Sequence, residues 1–253
     1  MMTTTAPKPR LRLDQHLVEH GHYDTRSRAR DAIARGAVSV DGRVVSKPGA
    51  PVAHDAAITI SDPAKAYVSR AALKLIAGLD AFGFDPAERD CLDVGASTGG
   101  FTQVLLDRGA RHVTAIDVGH DQMDARIASD TRVSNREGLN ARDLAAADIG
   151  ERVIEAVVSD VSFISLKLAL PPALDLARPG AFAVLLVKPQ FEAGREAIGK
   201  GGLLKDAARG PGIADDLSVW LGNQPGWHMT GLVPSPIEGG DGNQEFLLGG
   251  VKA

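Results

Sequence analysis

The chain has 253 residues, of which 44% are hydrophobic and 24% are charged, and these values are typical of a globular protein with one or two domains. Its single cysteine, Cys91, excludes a disulfide scaffold and a cysteine-rich zinc site. No apolar run is long enough to cross a membrane, and the first ten residues lack the apolar stretch of a secretion signal. We therefore expect a cytoplasmic protein that does not associate with membranes.

Charge is distributed unevenly along the chain. The first 80 residues carry 12 Lys and Arg against 8 Asp and Glu, whereas the remaining residues carry 16 against 24. A basic N-terminal module on an acidic body favours a nucleic-acid-binding module attached to a second domain.

The N-terminal part of the chain predicts a small module after a polar tail. Residues 1–10 are polar, contain two prolines and are predicted to be disordered. Residues 11–60 predict an α+β module with two helices, the second capped by Ser27, and a hairpin that turns at Asp41-Gly42. Residues 61–67 are predicted to form a linker to the second domain.

The rest of the chain, residues 68–253, alternates helix-length segments with short apolar runs. Six runs predict strands, which are Cys91–Val94, Val113–Ile116, Ile154–Ser159, Phe182–Val187, His228–Val233 and Phe246–Leu248. This alternation predicts an α/β domain with a Rossmann-like, doubly wound, mostly parallel sheet. Because too few residues join the last two runs for a crossover helix, we expect them to pair antiparallel at one side of the sheet.

A glycine-rich segment, DVGASTGGFT from Asp93 to Thr102, directly follows the first of these strands. Its glycines would let the backbone approach a ligand, and a helix starting near Gly100 would direct free N–H groups at that ligand. The spacing differs from the G-x-G-x-x-G dinucleotide pattern. A carboxylate at Asp93 would repel a pyrophosphate but suits the cationic amino-acid part of S-adenosylmethionine. The candidate cofactor contacts here are Asp93, Gly95, Ser97, Thr98, Gly99, Gly100 and Phe101.

Two further residues are candidates for contacts with the cofactor. Asp117 ends the next predicted strand, where an acid often binds ribose hydroxyls in such folds. Asn140 lies farther along the chain and is a candidate for the adenine side. A methyl donor is the favoured ligand, and the alternatives are a nicotinamide dinucleotide and a glycine-rich turn with no ligand.

Two charged residues follow later predicted strands, Asp160 after Ile154–Ser159 and Lys188 after Phe182–Val187. If these strands are neighbours, the two side chains face each other across the cleft. Lost hydration lowers the pKa of a lysine and a nearby carboxylate raises it, and a lysine balanced between both effects can accept a proton from an alcohol. The alternative is a solvated lysine and an aspartate that caps a helix starting at Phe163. Phe163 itself fits either the core or a position near the donor or the target base.

Lys74 and Glu245 are ambiguous when they are considered alone. Lys74 fits a solvated basic face of a helix, and Glu245 fits a charge at a sheet edge. The seven histidines are scattered and form no metal-ligand set, so we predict no metal site.

Four segments together resemble the TlyA family, namely Asp93–Thr102, Asp160–Ser165 (DVSFIS), Val187–Glu192 (VKPQFE) and Gly242–Glu245 (GNQE). This family comprises ribosomal-RNA 2′-O-methyltransferases that are also catalogued as haemolysins, and the second domain is similar to FtsJ-like methyltransferases in general. The resemblance implies S-adenosylmethionine as the cofactor and a cytidine of ribosomal RNA, within ribosomal subunits, as the substrate. It also implies a catalytic set of Lys74, Asp160, Lys188 and Glu245.

The N-terminal module resembles the RNA-binding domain of the ribosomal protein S-four type. The resemblance rests on segments such as Arg12-Leu13-Asp14, Ser27-Arg28 and Val40-Asp41-Gly42. It implies that the helix pair presents basic side chains to structured RNA, and the candidates are Arg12, Arg26, Arg28, Arg30 and Arg35. The alternative is that these arginines merely keep a helix soluble.

We therefore predict an S-adenosylmethionine-dependent 2′-O-methyltransferase of ribosomal RNA. Lys188 is the expected base or oxyanion stabiliser, Asp160 orients it, and Lys74 with Glu245 holds the ribose and completes the charge network. Two other functions stay open, a membrane-active haemolysin and a non-catalytic RNA-binding assembly factor with a relic donor pocket. No obligate protein partner is evident.

Overall fold

The structure is a computed structural model that describes residues 10–253, so residues 1–9 of the predicted disordered tail lie outside the described residues. Arg10 is the first residue of a strand. The contacts between residues divide the chain into two compact units, with the boundary between Lys65 and Ala66. Around that boundary, Pro63–Ala66 forms a short 3-10 helix.

The N-terminal unit is a small α+β module. Its elements are β1 (Arg10–Arg12), α1 (Leu13–Glu19), α2 (Arg26–Ala34), β2 (Val38–Val40), β3 (Arg43–Val44), β4 (Pro51–Ala53) and β5 (Ile58–Ile60). Strands β3, β2 and β5 form one antiparallel sheet, and β1 pairs with β4 in a second. The predicted turn is present, because Asp41 and Gly42 have φ values of 49° and 78°. The β1–β4 pair was missed because each strand has only three residues, too few for a recognisable alternation.

The second helix begins earlier than predicted. Thr25 is its N-cap, because this residue is extended and its hydroxyl accepts a hydrogen bond from the Arg28 amide at 3.3 Å. The cap prediction for Ser27 is wrong, since Ser27 lies inside α2. The helix pair covers a small core of its own that includes Leu13, Leu17 and Ile33.

A buried carboxylate, Asp14, joins two basic side chains of this unit. It accepts hydrogen bonds from Arg12 Nε at 3.0 Å and from an Arg26 guanidinium nitrogen at 2.9 Å. Burial alone would raise the pKa of Asp14, but the hydrogen bonds and charges of the two arginines lower it to about 2. Asp14 therefore fixes the two guanidinium groups, which stay about half exposed at 49% and 52%.

The lowered pKa of Asp14 predicts acid sensitivity in this unit. A carboxylate with a folded pKa below its unfolded value of 3.8 stabilises the fold above that value, and its contribution is lost as the pH falls through about 2. We expect Asp14→Asn to remove this part of the pH dependence and to speed hydrogen exchange in α1 and α2 at pH 5 and above. The matched control is Asp24→Asn, because the Asp24 side chain is 90% exposed. Equal exchange in the two variants would contradict the prediction.

The second unit contains one large sheet with helices on both faces. Its helices are α3 (Ala72–Phe82), α4 (Gly100–Asp107), α5 (Ala125–Ala128), α6 (Ala146–Ile149), α7 (Leu166–Ala169), α8 (Pro171–Leu176), α9 (Pro189–Glu192) and α10 (Gly210–Gly222). Its strands are β6 (Asp90–Val94), β7 (His112–Asp117), β8 (Val133–Glu137), β9 (Ile154–Ser159), β10 (Ala177–Val187), β11 (Trp227–Pro234) and β12 (Phe246–Lys252). Four 3-10 turns complete it, at Ala141–Asp143, Arg195–Ala197, Lys200–Gly202 and Ala207–Arg209.

The seven strands have the order β11-β12-β10-β9-β6-β7-β8. The five strands from β10 to β8 are parallel, and β12 pairs antiparallel with both β10 and β11. The predicted Rossmann-like α/β fold and the antiparallel pairing of the last two strands are confirmed. Strand β8 was missed because it is an edge strand, so most of its side chains are polar and only partly buried.

The core is split between the two faces of this sheet. Along β10, Val184 and Leu186 belong to one cluster of buried residues, and Leu185 and Val187 belong to the other. Strands buried on both faces produce unbroken apolar runs in the sequence, which is why β9 was predicted with its observed bounds. The rigid central strands place their carboxyl ends at one edge of the sheet, where ligands bind in open α/β folds.

Candidate active site

Charged side chains gather where the parallel strands end. Asp93 lies near the end of β6, Asp117 ends β7, Asp160 follows β9 and Lys188 follows β10. Because these strands are parallel neighbours, the four side chains belong to the same edge of the sheet.

The glycine-rich loop between β6 and α4 bends sharply back onto this edge. Gly95 has a φ of 85°, and a Cβ there would lie 3.0 Å from backbone atoms of Val161. Gly99 has a φ of 89° and is the N-cap of α4, which begins at Gly100 as predicted. These positions need glycine because a side chain would be strained at a positive φ and would press against Val161 at Gly95 or against Ile127 at Gly99.

Asp93 lies beneath this loop and is fully buried. One of its carboxylate oxygens accepts a hydrogen bond from the Thr102 hydroxyl at 2.6 Å, and the other has no hydrogen-bond partner. Burial raises the pKa of Asp93 to about 7, against the opposing effect of the Thr102 hydrogen bond. A cationic ligand close to Asp93 would pair with its free carboxylate oxygen and would favour its charged form.

Asp117 holds the loops on either side of the cleft. Its carboxylate accepts hydrogen bonds from the backbone amides of Ser97 at 2.8 Å and Gly119 at 2.7 Å. The Ser97 hydroxyl in turn donates to the side chain of Gln122 at 3.1 Å. Asp117 thus orders the loop after β6 and the loop after β7, and it lines the cavity between them.

Two adjoining cavities occupy the cleft. The larger has a volume of about 560 Å³ and the smaller about 140 Å³. The larger volume lies in the usual range for small-molecule sites. Both cavities are lined by Gly95, Ser97, Asp160 and Ser162.

The predicted cofactor residues are distributed over this cleft. Asn140 and Asp117 line the larger cavity, and Thr98, Gly100 and Phe101 line the smaller one. Gly99 and the buried Asp93 line neither of these two cavities. The lining residues that sequence reasoning missed are Ile116, Val118, Gly119, Gln122, Leu139, Ala141, Val161, Ser162 and Ile164 for the larger cavity, and Ser69, Ala71 and Ala96 for the smaller. Position directly after a strand end was the available signal for Val118, Gly119, Val161 and Ser162.

Asp160 and Lys188 face each other, as expected for neighbouring strands. The Lys188 Nζ atom lies 2.6 Å from Asp160 Oδ1 and donates a hydrogen bond to the Ser162 hydroxyl oxygen at 2.7 Å. Lys188 is only 8% exposed and lines the smaller cavity. Both alternative interpretations are wrong, because the lysine is buried and Asp160 caps no helix. The next helix, α7, begins at Leu166 and is capped by Ser165.

Lys74 and Glu245 form a second buried ion pair. Lys74 Nζ donates to Glu245 Oε2 at 2.5 Å, and their side chains are 7% and 3% exposed. The interpretations as a solvated helix face and a sheet-edge charge are therefore wrong. Val187 lies opposite Phe246 in the antiparallel register, so Lys188 and Glu245 occupy neighbouring strand ends. The two ion pairs thus lie side by side.

Phe163 is not part of the core. It is 89% exposed, has a φ of 65° and lies 5.0 Å from the Phe191 ring, measured between ring centroids. It also lines the larger cavity. An exposed aromatic ring on a bent backbone beside the cleft is a suitable surface for a planar ligand.

The arginines of the N-terminal unit fall into two groups. Arg12, Arg26 and Arg30 are exposed, and Arg28 is partly buried. Arg35 differs, because its side chain is only 15% exposed and its guanidinium lies 2.9 Å from Asp62 and 3.0 Å from Asp31. The structure therefore places Arg35 in the packing of the unit and away from its exposed surface.

Among residues 10–253, no group of His, Cys, Asp and Glu side chains could hold a metal ion. None of the helices formed by those residues is long and apolar enough to span a bilayer.

Comparison with known proteins finds matches to both units. Residues 67–252 match the FtsJ-like methyltransferase family and residues 11–58 match the S4 domain. The chain is 45% identical to the 16S/23S rRNA (cytidine-2′-O)-methyltransferase TlyA of Mycobacterium tuberculosis, over 94% of this chain and 89% of the relative. It is 37% identical to Hemolysin A of Brachyspira hyodysenteriae, over 94% of this chain and 98% of the relative.

One solved structure is similar to both units of this chain. A chain from Streptococcus thermophilus that is described as a hemolysin superposes with a TM-score of 0.74 and 36% sequence identity. The similarity covers 97% of this chain and 89% of that chain. It therefore extends over both units.

Proposed function

The chain belongs to the FtsJ-like methyltransferase family, and from that premise we propose that it methylates a ribose 2′-hydroxyl of ribosomal RNA, at a cytidine. S-adenosylmethionine is the proposed donor and the cytoplasm the proposed location. The observation that carries the proposal is the buried amine of Lys188, held by Asp160 at 2.6 Å on the wall of the cleft. The ribosomal RNA and the cytidine follow the name of the Mycobacterium tuberculosis relative.

The cleft fits this donor in size and charge. Asp117 and Asn140 would hold the adenosine part in the larger cavity, while Ser97 and the loop from Gly95 would hold the amino-acid part. The unpaired oxygen of Asp93 lies where a cationic group would be stabilised. When bound, the donor supplies a methyl group on a sulfonium sulfur, which needs no activation by the protein.

The chemical demand falls on the alcohol, because a ribose hydroxyl is a very weak acid. Lys188 Nζ is the group that takes the hydroxyl proton or stabilises the developing charge on oxygen. Asp160 orients Nζ and balances its charge. The neighbouring Lys74–Glu245 pair holds the ribose, and the exposed ring of Phe163 is the proposed surface for stacking of the target base.

Binding of the RNA is assigned to both units. The S4 domain match and the exposed arginines of α2 support a phosphate-contacting surface on the N-terminal unit. Arg12, Arg26, Arg28 and Arg30 form this proposed surface, whereas Arg35 is neutralised by Asp31 and Asp62.

The phosphate contacts predict a specific salt dependence. Arg26 and Arg30 lie four residues apart on α2 and are both exposed. We expect the Arg26→Ala/Arg30→Ala protein to bind ribosomal RNA more weakly, with the slope of log K against log salt reduced by about 0.7–0.9 for each lost contact. Arg152→Ala is the control, since it removes a 39%-exposed arginine from the opposite edge of the sheet. An unchanged slope in the double variant would argue against this surface.

The function is tested by mapping ribose methylation in ribosomal RNA from cells with and without this protein. The expected result is one or more cytidines that lose the 2′-O-methyl group and regain it when the purified protein and S-adenosylmethionine are added. Identical maps would reject the proposal. Dye release from liposomes tests the haemolysin alternative, and titration with the donor tests the relic-pocket alternative, because a relic pocket binds the donor poorly.

A further inference from the structure

We infer that Ser162 is a positioning residue that directs the Lys188 amine at the target oxygen and sustains its charged form after proton transfer. This inference rests on the proposed function, because it requires Lys188 to take the proton of a ribose hydroxyl. It adds a residue to the reaction that neither the predicted catalytic set nor the buried ion pairs contain.

The contacts of the amine carry the first step. Lys188 Nζ has two oxygen neighbours, Asp160 Oδ1 at 2.6 Å and Ser162 Oγ at 2.7 Å. Ser162 Oγ is the acceptor of the hydrogen bond, and Asp160 Oδ1, two residues earlier on the same loop, forms the ion pair. Lys188, Asp160 and Ser162 all line the smaller cavity, so the amine is placed beside it.

The loop that carries Ser162 is fixed at both ends. The Asp160 amide donates to the carbonyl oxygen of Val94 at 3.1 Å. At the other end, Glu192 accepts hydrogen bonds from the Ser165 hydroxyl at 2.6 Å and the Leu166 amide at 2.8 Å. Glu192 belongs to the short helix that directly follows Lys188. The segment that carries the amine therefore also clamps the loop that carries its acceptors, and Ser162 Oγ keeps its place although the residue is exposed.

The Ser162 hydroxyl stabilises the Lys188 amine during proton transfer from the ribose. In the reaction an O–H bond of the ribose breaks and an N–H bond forms at Lys188. The oxygen uses the released electron pair to bond the methyl carbon, whose bond to sulfur breaks with its electrons kept by sulfur. The new ammonium needs a negative charge beside it and an acceptor, which the carboxylate of Asp160 and the hydroxyl oxygen of Ser162 supply. Because Ser162 accepts from Nζ, its own proton is available to an oxygen in the cleft.

Other charged groups surround the amine and stay the same when Ser162 is changed. Asp160 directly follows β9, Glu245 directly precedes β12, and its partner Lys74 belongs to α3. Asp93 is buried behind them, and the charge of Asp160 contributes to its raised pKa. The Phe191 ring lies 6.0 Å from Nζ. A comparison of variants at Ser162 alone therefore isolates the effect of the hydroxyl.

The test compares Ser162→Ala with Ser162→Thr, which keeps a hydroxyl. Single-turnover methyl transfer to ribosomal RNA is measured together with the Kd for S-adenosylmethionine. We expect Ser162→Ala to lower the plateau rate about 10-fold, because the amine has lost the acceptor that directs it. Ser162→Thr is expected to retain the rate, and the donor Kd is expected to stay unchanged in both.

Three outcomes would overturn the inference. They are an unchanged rate in Ser162→Ala, a reduced rate that weaker donor binding fully explains, and equal losses in the alanine and threonine variants. Lys188→Ala separates this inference from the proposed function. If Lys188→Ala still transfers methyl groups, the proposed chemistry fails as a whole. If Lys188→Ala is inactive while Ser162→Ala behaves as the unaltered protein, only the assignment of Ser162 fails.

Discussion

Lys188→Ala protein is expected to lose methyl transfer by a factor of about 10²–10⁴, the usual contribution of a positioned acid–base group. The buried amine that directly follows β10 is the group placed to take the ribose proton. Donor affinity is expected to change little, because Lys188 is not among the residues proposed to hold the donor. Single-turnover transfer to ribosomal RNA and a donor titration measure the two effects.

Two controls test whether a loss of activity in Lys188→Ala reflects the chemistry or only a general loss of charge or stability. Lys167→Ala removes an exposed lysine from α7 and is expected to have full activity. Lys188→Ala leaves the carboxylate of Asp160 without its 2.6 Å partner, which can destabilise the fold, so the Lys188→Ala/Asp160→Asn protein is measured as well. The double variant is expected to be as inactive as the single one but more stable. Activity within a few-fold of the unaltered protein in Lys188→Ala would remove this lysine from the mechanism.

The second large effect is expected at Asp93. Since burial raises the pKa of this carboxyl to about 7, the carboxylate form that suits a cationic donor becomes dominant only as the pH rises through that value. We expect the affinity for S-adenosylmethionine to increase between pH 6 and 8 in the unaltered protein. Asp93→Asn protein is expected to bind the donor about 10-fold more weakly at pH 8 and to show a flat dependence on pH. Calorimetric titration across this range measures both.

Donor affinity is expected to increase with pH, whereas the free energy of unfolding of the unliganded protein is expected to decrease with pH. A carboxyl whose folded pKa is raised above its unfolded value of 3.8 contributes stability below that value, and the contribution is lost as the pH rises through about 7. This change in pKa corresponds to about 4 kcal/mol. We therefore expect Asp93→Asn to melt at a higher temperature than the unaltered protein at pH 8, with the difference shrinking towards pH 4.

Asp107→Asn, at an exposed position of α4, is the control for both measurements. If Asp93→Asn lowered the affinity for S-adenosylmethionine by the same factor at every pH, the result would contradict the role of the Asp93 charge.

The two pairs of charged residues also show why such a site is costly to alter. Lys188–Asp160 and Lys74–Glu245 are both largely buried, so removing one partner leaves an uncompensated charge. Variants that remove a single charge therefore mix stability with chemistry. Paired variants and a donor titration separate the two, because a folded cleft still binds the donor.

The sequence by itself determined the fold class, the glycine-rich loop and the strand ends that carry Asp160 and Lys188. These features depend on local physics. A strand that is buried on both faces must be apolar throughout, as β9 is, and a tight approach of backbone at Gly95 excludes any side chain. The hairpin at Asp41-Gly42 was predictable for the same reason, since its positive φ values favour these residue types.

Apart from Asp160 and Lys188, only the tertiary structure decided which charges meet. Glu245 stands 171 residues after Lys74, and they pair only because β12 inserts between β10 and β11 and brings Glu245 beside α3. In the N-terminal unit, Asp14 fixes Arg12 and Arg26 while Asp62 withdraws Arg35 from the surface, although all three arginines look alike in the sequence. The contact of Ser162 with Lys188 joins two loops in the same way. A charge acts over a few ångströms of space, and the sequence records only distance along the chain.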